Sequence, residues 1–323
     1  MKSMILALLV AMLGFNGYAQ IKTGKDMKQE IVKIEKLIQE ELQMVKSYTE
    51  KPAYYLQINK TGCRLLVRVN DIPMGYHFVE DEGESMLYPI NGLLLGSGKH
   101  TVSIQVYPRT GETEVTKDAG VNIKVVHYKE KLVGTPETLV ELDTPTDIGM
   151  KKIPLYTDSI SFNATLPFNH KKILAEATDL QTIPDLEEKV LAHYNRVRQM
   201  MIDGNCYEYR KMRLASTWVL TEMNYLGKEA LEKTYIDSNY LFRFFCNPID
   251  WIAEPIQNYE MVVCGNGKLV YLRRRLELDN VLRVRFYDTE EEKRLSPEER
   301  TVTAYKFILL YMPKGSDELV ELY

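Results

Sequence analysis

The spacing of apolar residues changes three times along this chain of 323 residues, and those changes constrain the fold more than any single motif. Over residues 25–47, Met27, Ile31, Ile34, Ile38, Leu42 and Val45 recur every three or four positions with charges between them, which predicts one amphipathic helix closed off by Pro52. Its apolar face either packs against its own domain or serves as a short coiled-coil arm; the run falls well short of four clean heptads, so packing is favoured. From residue 53 the period becomes two. Segments 54–59, 63–70, 75–79, 85–88, 99–107 and 121–128 are β-branched or aromatic, with turn residues such as Lys60-Thr61-Gly62 and Gly96-Ser97-Gly98 between them. In 99–107, His100, Val102, Ile104 and Val106 share one face and Thr101, Ser103 and Gln105 the other, the dry and wet sides of a sandwich strand. Residues 138–142 and 159–166 read as later strands of the same unit.

A helical period opens at residue 183. Pro184 lies in the first turn, Asp185, Glu187 and Glu188 suit the positive helix end, Leu186, Val190, Tyr194, Val197 and Met201 form one buried face, and Gly204 supplies the stop. Further helices are expected at 207–214 and 217–235, with Trp218, Met223, Leu226 and Leu231 as core contacts. After Pro255 the period returns to two: 259–264 and 268–276 flank Gly265-Asn266-Gly267, a hairpin signal, and 281–287, 302–312 and 319–322 complete a meander. The fold class is therefore mixed all-β plus α+β: an N-terminal antiparallel β-sandwich, then C-terminal helices packed on a curved antiparallel sheet. The expected divisions are 1–19, a signal peptide; 20–51, the amphipathic helix; 52–175, the sandwich with its exit strands; and 184–323, the α+β domain.

Strand count, and the turn-then-strand stretch Asn91-Gly92-Leu93-Leu94-Leu95-Gly96-Ser97-Gly98-Lys99-His100-Thr101-Val102, make the first unit resemble an immunoglobulin-like module, without the paired cysteines and central tryptophan of antibody domains. The element order of 184–323 resembles the nuclear-transport-factor-like, or cystatin-like, superfamily. That superfamily holds enzymes, ligand carriers and interaction modules, so the resemblance implies an architecture and no single activity.

Lys2, the apolar run from Met4 to Phe15 and the small-residue site Gly17-Tyr18-Ala19 have the zones of a cleavable secretory signal, and the run is too short for a span of roughly 20 residues. The expected location is extracytoplasmic, periplasmic or secreted, with no membrane span after cleavage. With 41 Lys and Arg against 45 Asp and Glu, no basic footprint for nucleic acid is evident. Cys63, Cys206, Cys246 and Cys264 allow three pairings in an oxidising compartment but match no zinc spacing. Asp158-Ser159-Ile160 resembles an O-glycosylation acceptor of exported proteins.

No nucleophile elbow, phosphate loop or dinucleotide loop occurs, the five histidines are scattered, and nothing calls for a cofactor or metal. An acid/base set of Tyr194, Asp250 and Tyr259 is conceivable in a cone-shaped α+β fold. The distinctive local feature is a run of arginines. Tyr271, Arg273 and Arg275 fall on one strand face, and Arg283, Arg285 and Tyr287 on one face of the next. If those strands pair, four guanidiniums and two phenols form a surface for an anionic ligand or a protein partner, with Glu290, Glu291 and Glu292 as candidate neutralising acids. The leading expectation is an exported, non-enzymatic binding protein, possible forms being an inhibitor or immunity-type protein. The alternatives are a metal-independent enzyme with a pocket in the α+β domain and an envelope component assembled through the first helix.

Overall fold

The structure is a computed structural model that describes residues 24–75, 78–79, 83–233, 251–287 and 301–322. The expected signal peptide, His77, Cys246, Asp250, Glu290, Glu291, Glu292 and the aromatic run at 235–245 lie outside the described residues.

Helix α1 (Gly24–Met44) buries Ile34, Leu37 and Ile38 against two later helices, so its apolar face is occupied from within the chain. Eight strands follow: β1 (Ala53–Thr61), β2 (Arg64–Val69), β3 (Ile72–Pro73), β4 (Glu84–Pro89), β5 (Gly96–Tyr107), β6 (Gly120–Tyr128), β7 (Glu137–Asp143) and β8 (Tyr156–Asn169). They form two four-stranded antiparallel sheets, ordered β4-β1-β6-β7 and β3-β2-β5-β8. Leu56, Ile58, Ile123 and Val125 of one sheet share a core with Leu65, Val67, Val102, Ile104 and Val106 of the other. Strand β5 alternates as its sequence requires, with His100, Val102, Ile104 and Val106 buried and the residues between them part-exposed. Of the expected strand at 75–79, the described residues show one bridge, from Phe78 to Leu65.

Helix α2 (Leu186–Ile202) buries the five residues that its period selects, and Gly204 ends it at φ 66°, a left-handed conformation natural to glycine. The two helices expected next are one continuous helix, α3 (Cys206–Met223), followed by the short α4 (Lys228–Glu232). Ser216 does not interrupt α3 because its hydroxyl donates back to the Arg213 carbonyl at 3.1 Å, a bond compatible with helical backbone.

The remaining strands are β9 (Trp251–Ala253), β10 (Tyr259–Cys264), β11 (Leu269–Arg274), β12 (Leu282–Tyr287), β13 (Thr301–Lys306), β14 (Leu310–Tyr311) and β15 (Val320–Glu321). They form two antiparallel sheets, β10-β11-β14-β15 and β13-β12-β9, where the sequence suggests one meander. The division falls at Phe307, Ile308 and Leu309. There the Tyr194 hydroxyl donates to the Ile308 carbonyl at 2.6 Å and accepts from the Leu272 amide at 3.0 Å, so the apolar run leaves β12 and resumes beside β11.

Strand β11 is buried on both sides. Val270 and Leu272 pack with α1, α2 and α3, whereas Leu269 and Tyr271 join Val219, Met223, Leu309 and Leu322 in the core of the sandwich. The β-rich N-terminal region and the mixed C-terminal region thus meet across a continuous apolar contact. Asn91 adds a polar tie: its side chain accepts from the Tyr54 amide and donates to the carbonyls of Pro52 and Met223. No described helix is long and apolar enough to cross a membrane.

Tyr194→Phe strips two buried backbone groups of their partner and is expected to cost about 2–4 kcal/mol of unfolding free energy. Urea denaturation measures it, with Tyr156→Phe, whose hydroxyl meets exposed Asp158, staying within about 0.5 kcal/mol of the parent.

Candidate functional site

The arginine strands do not pair. β11 lies between β10 and β14, β12 lies between β9 and β13, and a single bridge from Arg273 to Asn280 connects their ends. The six residues Tyr271, Arg273, Arg275, Arg283, Arg285 and Tyr287 therefore do not form one surface. Tyr271 is 1% exposed because the sandwich covers the side of β11 that alternation alone assigns to solvent. Its ring meets Phe307 edge-on, with centroids 5.5 Å apart. Arg273 is held by Glu260 at 2.5 Å. Arg275 is exposed and donates to the Tyr259 carbonyl at 3.2 Å. Tyr287 pairs through its backbone with Thr301, and its side chain lies outside the described residues.

The arginines of β12 are on the outer face of the three-stranded sheet, and Leu282 and Val284 are buried behind them. Arg283 reaches Glu254 at 2.9 Å and Asp279 at 2.8 Å, and its guanidinium lies 5.0 Å from the centroid of the Tyr305 ring. Arg285 meets the other oxygen of Glu254 at 2.9 Å while remaining half exposed. Register places Ile252 and Thr303 on either side of Arg285, and Tyr305 beside Arg283. Ile252 is 57% exposed and Tyr305 37%, which makes this face a mixture of apolar, aromatic and cationic groups. Among the described residues, Glu254 and Asp279 neutralise it.

A second constellation, absent from the sequence reading, surrounds α3. Glu41 of α1 is fully buried and accepts from Arg210 at 2.6 Å, from Thr217 at 3.3 Å and from Thr221. Glu222 accepts from the Lys46 amide at 2.9 Å and the Tyr48 hydroxyl at 2.7 Å, with His170 Nε2 3.0 Å away. Burial first, and then Glu222, push the Tyr48 phenol up to about 12. Glu321 of β15 meets Arg213 at 2.8 Å and the Tyr209 hydroxyl at 2.9 Å, with His193 Nε2 3.5 Å off. Burial works against the charge of Glu321, but Arg213, His193 and Lys306 outweigh it and hold its carboxyl below the usual range.

Lys306 borders this last cluster. Its Nζ lies 4.6 Å from the centroid of the Tyr209 ring. Desolvation, reinforced by the nearby Arg213 guanidinium, lowers the ammonium from a lysine's ordinary 10.5 to about 7. Sequence does carry a trace of both sites. Glu41 stands three positions after Ile38 on an apolar stripe, and Lys306 shares the inward parity of Ala304 in β13. What it lacks is any sign of the partners, which come from distant segments.

The conceivable acid/base set of Tyr194, Asp250 and Tyr259 is described only in part. Both hydrogen-bonding roles of the Tyr194 hydroxyl go to backbone, and Asp250 is not among the described residues. Burial raises the Cys63 thiol to about 11 and the Cys264 thiol to about 12, which disfavours the reactive thiolate at either site. No disulfide joins any two of Cys63, Cys206 and Cys264. Among the described residues no cluster of three or more His, Cys, Asp or Glu could hold a metal ion. No family model, curated protein or solved structure matches the chain.

Arg210→Met leaves Glu41 buried without its cation and is expected to cost about 3–5 kcal/mol, much of it recovered in Arg210→Met/Glu41→Leu, as denaturation of the two variants would show. Lys306→Met should raise Tm, and by more at acid pH. From pH 7 to 10.5 the unfolded chain holds a proton on Lys306 that the folded chain lacks, so the wild type gains stability as pH rises through that window. Below pH 7 the penalty is complete. The Tm difference between variant and wild type should therefore be largest near pH 6 and shrink toward about pH 10, measured by calorimetry.

Proposed function

We propose that this chain is an exported, non-enzymatic binding protein of the cell envelope that holds a protein partner on the outer face of the β9-β12-β13 sheet. The observation that carries this reading is the grouping of Ile252, Thr303, Tyr305 and Arg285 on one open sheet face. Arginine and aromatic side chains are enriched where proteins bind one another, and an exposed isoleucine beside them adds apolar area to bury. Glu254 and Asp279 already occupy the forks of Arg283 and Arg285, which favours a protein surface over a simple anion as the occupant. The leader-like start of the sequence supports export. The immunoglobulin-like and cystatin-like resemblances belong to the same reading, supported by two packed four-stranded sheets followed by helices ahead of further strands. An inhibitor or immunity-type protein is one concrete form.

The test is recovery of the mature chain from its host, with native mass spectrometry of what accompanies it. A stoichiometric protein partner should be lost, with affinity reduced about 100-fold or more, in Ile252→Asp/Arg285→Glu, and retained in Val32→Asp on the outer side of α1. A partner that still binds the double variant with unchanged affinity would remove this face from the reading. A bound small molecule with no protein partner would remove the reading itself.

A further inference from the structure

Strand β13 turns Thr303 and Tyr305 outward and Ala304 inward, and Lys306 follows Ala304. The lysine thus enters the cluster beneath the sheet, opposite Leu282 in register. A cation in that position ordinarily finds a carboxylate. The acid on hand, Glu321, is already engaged by Arg213, Tyr209 and His193, and no described carboxylate is within ion-pair distance of the amine. Nζ instead stands over the Tyr209 ring, beside a guanidinium that opposes protonation. Lys306 as a residue is part-exposed.

We propose that Lys306 is a covalent site for small aldehydes or ketones, its amine condensing with the carbonyl carbon to form a Schiff base within the Glu321 cluster. The nitrogen lone pair forms the C–N bond as the carbonyl π bond breaks, giving a carbinolamine. Loss of the hydroxyl group as water then leaves the C=N bond. Amine and carbonyl become imine and water, and nothing is oxidised or reduced. When the imine takes up a proton, the face of Tyr209 and the carboxylate of Glu321 supply the negative potential that a cationic nitrogen needs. This site is on the inner side of the sheet whose outer face carries the proposed partner surface, and the two do not depend on each other.

The folded protein is exposed to glycolaldehyde at pH 6 to 10, trapped with borohydride and mapped by peptide mass spectrometry. At pH 7 Lys306 should be modified about tenfold or more faster than exposed Lys131 and Lys314, because far more of its amine is unprotonated. Its rate should level off above about pH 8, where that of an ordinary lysine amine continues to climb. Lys306→Arg, under the same treatment, should retain only the slow background of the exposed lysines. Labelling of Lys306 no faster than that background, a rate rising in step with it through pH 10, or no labelling at any pH would each overturn the proposal.

Discussion

Three buried carboxylates around α3 set the terms for the rest of the molecule. Glu41 arrives from α1, Glu321 from β15, and Glu222 belongs to α3 itself, and each is met by donors from another element. A buried carboxylate without a partner is costly enough to exclude most alternative packings, so these pairs fix which turn of α3 faces which neighbour. Arg210 and Arg213 are one helical turn apart and point to opposite ends of the chain. Their contribution lies more in register than in net stability, since well-packed apolar replacements often hold as well as buried ion pairs.

Around that helix, the apolar core decides what becomes of the charged strands. β11 carries Tyr271 and Arg273 in alternation with Val270 and Leu272, a pattern that suits a sheet with one wet side. The sandwich fills that side, so Tyr271 becomes core and Arg273 needs Glu260. β12, one sheet over, keeps its outer side open, and there the same alternation produces an accessible surface. Two strands of similar composition thus have different fates because of what lies above them.

Much of the fold is legible in the sequence because local period and local chemistry agree. The inward residues of β5, the five buried positions of α2, the stop at Gly204 and the 264–269 hairpin all follow from spacing and from residues that tolerate positive φ. The division of the C-terminal strands into two sheets is not legible, because Phe307, Ile308 and Leu309 read as an uninterrupted strand until a tyrosine from α2 claims the Ile308 carbonyl. A single arginine surface requires β11 and β12 to pair, and which strands pair is a tertiary fact. Lys306 and Glu41 are polar residues on apolar parities, but alternation gives no account of Arg210, Tyr209 or Arg213 as their neighbours.

The position of α3 also orders events during folding. Arg210 takes its carboxylate from 169 residues earlier in the chain, and Arg213 takes its own from β15, the last described strand. Contacts of such long sequence separation close late, because the loop entropy must be met before they form. Until β15 arrives, Arg213, Tyr209 and His193 lack the acid that allows them to be buried, and water is their better environment. The stretch of α3 that carries Tyr209 and Arg213 therefore has its buried acid only when β15 is in place. One two-residue strand thus carries the carboxylate on which the burial of three side chains from two helices rests.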